Sequence, residues 1–317
     1  MKSNPNTYSF ITKVIAFYIM LSLKLAAQIY NYDPIRHSNF ETNPSYLASD
    51  KNYVTASLVH HGAFFEKDKF YYDGLRVSFY NPKYFAGIGI TLNNTHVNDS
   101  AQYSYVGIGG AYRTVLFNKI YTRIGFIYKA NYVTAPSGYF SYYSLNRSGE
   151  NSVKTNLIHN ANISVSLSSG REKFYISMGI LNAQLFSNPN QMANLFPEYY
   201  FVNVGDFGKM MGLEDWEISY STFAKKYSFQ NISPLSHYLN IFYKGFHFTR
   251  NISLRYGARI GLTDNEYFQC TPSISLYLRL TRKKYIICHF SYDTGISIKT
   301  SQLPFNPTAQ FNLTYLF

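Results

Sequence analysis

Charged residues make up only 15% of the 317-residue chain, against about 25% in an average soluble domain, and this scarcity excludes a charge-rich disordered tail. The two cysteines, Cys270 and Cys288, are too few for a disulfide framework and show no metal-ligand spacing. No GxSxG, HExxH, P-loop or CxxC pattern occurs. Gly87-Ile88-Gly89 and Gly107-Ile108-Gly109-Gly110 lie inside strand patterns with no helix following, so neither is a phosphate cradle. After residue 28 no run approaches the 18 or so apolar residues of a spanning helix, and the mean hydropathy is −0.19. Ala, Glu, Lys and Leu do not dominate, which excludes a coiled coil or helical repeat. What is abundant is aromatic: 32 Tyr and 26 Phe bring the aromatic share to 19%, with a single Trp. That composition leaves a large all-β protein.

Residues 1–28 read as a secretory signal. Lys2 and Lys13 are followed by the apolar stretch Val14 to Leu23, and Leu25-Ala26-Ala27 supplies a small-residue exit. The chain is basic, with a formal net charge of +12. An exported chain meets anionic lipid or an acidic partner rather than nucleic acid.

Nearly every segment after residue 52 alternates with period two, the mark of half-buried strands. Ile274, Leu276, Leu278 and Leu280 share one face, and Ser273, Ser275, Tyr277 and Arg279 the other. Residues 251–261 and 119–129 repeat the pattern. Strands are predicted near 53–61, 70–80, 84–93, 102–114, 119–130, 156–167, 173–183, 199–208, 215–223, 237–244, 250–261, 270–280, 284–292 and 308–317. Most have the length a tilted strand needs to cross a bilayer. Short connections, such as those near Asn81-Pro82-Lys83 and Thr281 to Lys283, alternate with longer ones near 62–69, 94–101, 131–155, 184–198, 224–236, 262–269 and 293–307. Short turns at one end and long loops at the other predict a transmembrane antiparallel β-barrel of about fourteen strands over residues 53–317, in an outer membrane. Residues 29–52, polar and turn-rich, form either a periplasmic docking tail or a plug.

The same pattern assigns faces. Tyr53, Tyr84, Tyr112, Tyr128, Tyr243, Tyr292 and Tyr315 fall near strand ends, where a lipid-facing barrel places its aromatic girdles. Arg76, Arg113, Arg123, Lys129, Lys244, Arg255, Arg259 and Arg279 fall on inward positions, with few acids in the same strands. A basic lumen of this kind, with Arg123, Arg255, Arg259 and Arg279 as its core candidates, would bind an anionic segment or anchor an inserted loop. If a hairpin turns near Arg282, Cys288 lies opposite residue 276 and about 20 Å from Cys270, so two free thiols are expected. His289 and Asp293 fall on one inward face, but such a pair arises by chance, and no catalytic residue or cofactor is assigned.

Several ordered elements carry a resemblance. Asn31-Tyr32-Asp33-Pro34 and Asn43-Pro44-Ser45-Tyr46-Leu47-Ala48 come first, then Leu181-Asn182-Ala183 with Asn188-Pro189-Asn190-Gln191, then Phe290-Ser291-Tyr292-Asp293-Thr294-Gly295, and last an alternating strand ending at Phe317. Together they resemble the PorP/SprF family, although that family's tryptophan after the first strand is absent and His60-His61 stands in its place. The motif positions are Asn43, Pro44, Tyr46, Ser291, Tyr292, Asp293 and Phe317. The resemblance implies a non-enzymatic barrel of the Bacteroidota type IX secretion and gliding system. It also implies partners: a secreted adhesin or other cargo bearing a type B C-terminal domain, and periplasmic components of the machine. On that reading loops 131–155 and 184–198 are the contact surfaces. The rival expectation is a transport barrel, either a porin or a fatty-acid channel.

Overall fold

In a computed structural model the chain is described at residues 40–48, 54–63, 71–97, 101–116, 120–136, 153–169, 174–185, 198–227, 231–232, 235–263, 267–281, 284–297 and 308–316. The predicted signal segment, Tyr53, Phe317 and most of the two candidate contact loops lie outside the described residues.

Fifteen strands follow in chain order: β1 (Val54–Ala63), β2 (Tyr71–Asn81), β3 (Ala86–Val97), β4 (Ala101–Leu116), β5 (Ile120–Pro136), β6 (Val153–Ser169), β7 (Tyr175–Gln184), β8 (Tyr199–Gly205), β9 (Trp216–Tyr227), β10 (Asn231–Ile232), β11 (Ser236–His247), β12 (Ile252–Thr263), β13 (Tyr267–Arg279), β14 (Tyr285–Ser297) and β15 (Thr308–Leu316). All but the two-residue β10 form one antiparallel ring in which each strand pairs with its neighbours in sequence. The ring closes where β1 pairs with β15, Thr55 opposite Leu316 and Leu58 opposite Leu313. It is continuous across β8 and β9, Phe201 opposite Phe223. The protein is therefore an all-β, closed, fourteen-strand antiparallel barrel.

Closure follows from the environment the side chains dictate. Outward positions carry Ile88, Ile90 and Leu92 on β3, Ile124 and Phe126 on β5, and Phe311 and Leu313 on β15, all exposed. Inward neighbours on the same strands are Thr91 and Asn93, Arg123, and Asn312 and Thr314, all buried. An apolar outer face around a polar interior is the inverse of a soluble barrel and fits a bilayer. There an unpaired backbone group costs several kcal/mol, so the sheet has no tolerable edge. Trp216, Tyr243 and Tyr256 stack in sequence at one rim, with ring centroids 5.2 and 5.7 Å apart. Farther round the ring at the same end, Tyr84 after β2 and Tyr112 on β4 are also exposed, as an interfacial girdle requires.

Residues 54 and 316 lie at the same end as the connections 82–85, 117–119, 170–174, 206–215, 248–251 and 280–284. That end is periplasmic, because short turns mark that side of such barrels. Two extracellular connections expected to be longer, near 94–101 and 262–269, are shortened to 98–100 and 264–266 because the flanking strands extend. The ladder does not stop where the hydrocarbon ends: β5 runs on to Pro136, β6 starts at Val153, and β14 continues past Asp293 to Ser297. The two ends of the expected loop, 131–136 and 153–155, are thus strand. Toward the periplasm the reverse holds: β8 ends at Gly205, short of the expected 208, and a one-turn helix, Phe207–Met210, follows.

Cys288 pairs with Leu276, and Cys270 lies opposite Thr294, on the register expected from the turn. No disulfide joins the two. Because outward positions near mid-strand face hydrocarbon, Ile90→Arg is expected to destabilise the barrel by about 2–4 kcal/mol. Urea titration of the protein folded into vesicles measures this.

Candidate functional site

The lumen holds the feature that distinguishes this barrel. Residues Pro44–Ala48 form a 3-10 turn, which packs against the inner faces of β2 to β6. Pro44 restricts the backbone at the start of the turn, and the Tyr46 amide donates to the Asn43 carbonyl at 3.0 Å to close it. The wall makes room through glycine. A Cβ at Gly125 would overlap the backbone of Pro44 and Ser45, and one at Gly87 would overlap the Leu47 carbonyl. Phe40, Leu47 and Ala48 join Tyr80, Ala111 and Ile127 in a buried apolar cluster. Tyr46 meets Tyr175 edge-on, with ring centroids 6.5 Å apart.

Polar contacts hold the same segment. The Ser45 amide donates to Ser164 Oγ at 2.8 Å and the Ser45 hydroxyl to Asn43 Oδ1 at 2.6 Å. Ser45 also touches Ser166, whose hydroxyl meets Ser177 at 2.8 Å. Asn162 donates from Nδ2 to the Glu41 carbonyl and accepts at Oδ1 from the Asn182 amide, 2.7 Å away. Asn182, part of the mid-chain element singled out in the sequence, has φ +55°, a left-handed conformation that Asn tolerates better than most residues.

Glu41 is the electrostatic centre. Its carboxylate sits 2.9 Å from Arg76 Nη2, with both side chains buried. It accepts from Thr91 and, at 2.9 Å, from Asn93 Nδ2. Burial works against the Glu41 charge, but Arg76, Lys129 and hydrogen bonds from Thr91 and Tyr105 outweigh it and hold the carboxyl below the usual carboxylate range. Lys129 also lies 5.1 Å over the Tyr105 ring.

The sequence-chosen residues distribute as follows. Asn43, Pro44 and Tyr46 belong to the inserted turn. Ser291 and Tyr292 occupy inward and outward positions on β14, and Asp293 pairs with Thr308. β14 lies three strands from β2 around the wall, so the two groups of motif residues do not form one site. Among the cations, Arg76, Arg113, Arg123, Lys129, Arg255 and Arg259 are buried in the lumen. Arg255 lies 3.3 Å from Glu217 Oε2, and its guanidinium sits 4.1 Å over Phe242. Arg259 covers Tyr238 at 5.1 Å and Arg113 covers Tyr121 at 3.8 Å. Lys244 reaches the buried Asp206 at 3.6 Å. Arg279 stands at the periplasmic end, where its Nε donates to the Thr281 carbonyl at 3.3 Å. Arg76 and Lys129 thus share Glu41, while Arg113, Arg255, Arg259 and Lys244 meet other partners around the wall. His289 is buried and meets Ser275 Oγ at 2.8 Å through Nδ1.

Two features escaped the sequence reading. Glu41 is the sole acid between Asp33 and Asp50, and its isolation two residues before Asn43-Pro44 was the available signal. The second is aromatic: Leu181, Phe201, Phe223 and Tyr238 form a buried cluster with Tyr199 on the lumen side of β7 to β11, toward the extracellular end. Aromatics were expected mainly on outward faces, rims and exposed loops, yet this group faces the interior. On the outer wall an apolar concavity of about 720 Å³ is lined by Leu58, Leu75, Leu92, Val106, Tyr132 and Phe311, among others.

A carboxyl whose pKa is lowered on folding contributes stability above its unfolded pKa and loses it as pH falls through the folded value. Acidification is therefore expected to loosen the inserted segment. Glu41→Gln, which removes the buried ion pair with Arg76, is expected to cost about 3 kcal/mol at neutral pH and to flatten that acid dependence. Urea titrations in vesicles at several pH values test both.

No family model matches the chain, and no curated protein matches it. Solved structures do. The CymD monoaromatic hydrocarbon channel aligns over 90% of this chain and 93% of its own, at 8% identity and a TM-score of 0.50. A Pseudomonas aeruginosa FadL homologue aligns over 92% and 96%, at 9% identity and 0.49. The KdgM porin aligns over 83% and 99%, at 11% identity and 0.35. At such identities the likeness is one of fold: this chain is a fourteen-strand β-barrel of the bacterial outer membrane, similar in architecture to outer-membrane channels.

Proposed function

We propose that this barrel is an outer-membrane channel for small, largely apolar solutes, closed by residues 40–48 in the conformation described. The observation that carries the reading is the manner of closure. The obstructing segment lies against one side of the wall, and the contacts described for it are packing, hydrogen bonds and the Glu41–Arg76 ion pair, so it can be released without breaking the barrel. The aromatic cluster on β7 to β11 and the apolar concavity on the outer wall offer surfaces for apolar molecules. The fold likeness to a protein titled a monoaromatic hydrocarbon channel supports the same direction.

A second reading rests on the PorP/SprF resemblance. The barrel would act in type IX secretion or anchor a cognate secreted adhesin through its extracellular loops, and would couple to periplasmic components without conducting. The placement of Asn43, Pro44 and Tyr46 favours it, because the resembling element is the one built into the lumen, as a permanently filled scaffold requires.

Conductance separates the two. On the channel reading the wild-type barrel is nearly silent in planar bilayers. Deletion of residues 40–48, or Gly125→Val, which drives a side chain into the turn, raises conductance at least about tenfold, as removal of a plug from a wide barrel should. Silence in every variant removes the channel reading. On the anchor reading, affinity purification from outer membranes recovers a large secreted protein, and deletion of residues 134–150 releases it. Recovery of no such protein removes the second reading.

A further inference from the structure

The periplasmic end carries a surface that solute transport through the lumen does not use. The β11–β12 turn presents Phe246, Phe248 and Arg250, and the β13–β14 turn presents Leu280 and Lys284, all exposed. The two turns are joined: the Arg279 amide donates to the Asn251 carbonyl at 2.7 Å. Each is also braced from within. Thr249 Oγ1 accepts from the Asn251 and Ile252 amides at 3.2 and 3.1 Å, and the Leu280 amide donates to the Lys284 carbonyl at 2.9 Å. Phe246 and Phe248 pack edge-on, with ring centroids 4.9 Å apart.

The charge on this surface has one sign. Arg250, Arg279 and Lys284 stand on the two turns and their flanks, Arg282 and Lys283 follow Thr281 in the sequence, and no Asp or Glu occurs from residue 218 to 263 or from 267 to 292. The acids of the preceding connection are Asp206, which is buried and paired with Lys209 and Lys244, and Glu214 and Asp215; the Asp215 carbonyl accepts from the Lys244 amide at 2.8 Å and its carboxyl lies beside Gly245. The extracellular connections differ, for their sequences carry Glu66, Asp68, Asp99, Glu150, Asp264 and Glu266. Basic residues flanked by exposed Phe and Leu, directly beyond the Trp216–Tyr243–Tyr256 girdle, lie at headgroup depth. There aromatic and aliphatic side chains enter the acyl boundary while cations meet phosphates.

We infer that the joined β11–β12 and β13–β14 turns form a docking surface for anionic phospholipid headgroups of the inner leaflet. Continuity with the lipid-facing wall selects lipid over a soluble acidic partner. The phosphate neutralises the cation cluster, and Phe246, Phe248 and Leu280 seat beside its acyl chains.

The test uses the full chain, folded in micelles containing equal phosphatidylglycerol and phosphatidylcholine, with retained lipid counted by native mass spectrometry. The wild type is expected to retain phosphatidylglycerol over phosphatidylcholine by at least about fivefold, and the preference should shrink as salt is raised from about 0.1 to about 1 M. The variant R250S/R282S/K283S/K284S, checked for folding by its heat-modifiable gel mobility, should lose the preference. K225S/K226S, at the opposite end of the barrel, should keep it. Equal preference in the wild type and the folded quadruple variant would overturn the inference, as would no preference in the wild type. So would tight binding of a polyglutamate peptide that phosphatidylglycerol does not displace, which would assign the surface to an acidic protein.

Discussion

The structure depends on one constraint: inside hydrocarbon no backbone amide or carbonyl can be left without a partner. Pairing β1 with β15 and β8 with β9 gives each of the fourteen ring strands a partner on both sides. Once the sheet is closed, the two-residue pleat divides the chain's side chains between lipid and lumen. Ile88, Ile90 and Leu92 then stabilise by facing outward, and Thr91, Asn93 and Arg123 must find partners within.

A fourteen-strand ring lies between barrels that side chains can fill and those that leave a channel. This chain fills part of the difference with its own backbone. The 3-10 turn at Pro44–Ala48 reaches the wall because Gly87 and Gly125 carry no side chain. On the same side Glu41 supplies a carboxylate to the buried Arg76. Each buried charge lowers the cost of burying the other, so the segment and the inward cation stabilise each other. Elsewhere Arg113, Arg255 and Arg259 lie across aromatic rings, which gives each cation a partner without an acid for every one.

The strands were legible because their signal is local. Ile274 to Leu280 against Ser273 to Arg279 is a period that only a half-lipid-facing strand requires, and the ends of most of the fourteen fall within a few residues of expectation. The extracellular ends were less legible: the ladder runs past the bilayer, and polar residues such as those after Asn131 or Asp293 are as compatible with an extended hairpin as with a loop. Tyrosine was ambiguous in a different way. Its ring suits a girdle and its hydroxyl suits a lumen, so Tyr112 on the outside and Tyr238 on the inside look alike in sequence. The inserted turn was visible only as a polar, turn-rich stretch, since nothing local says whether such a stretch enters the barrel or hangs below it.

By itself the sequence determined the class of solvent and the architecture: alternation, scarce charge and abundant aromatics admit a transmembrane barrel and little else. It determined the strand number as well, because each strand writes its own period. Tertiary structure alone decided which polar residues meet. Glu41 is close to Arg76, Asn162 to the Glu41 backbone, and Arg279 to the turn carrying Arg250, through contacts between segments up to 121 residues apart. Such contacts arise from barrel closure and strand register, which are properties of the ring and of no single segment.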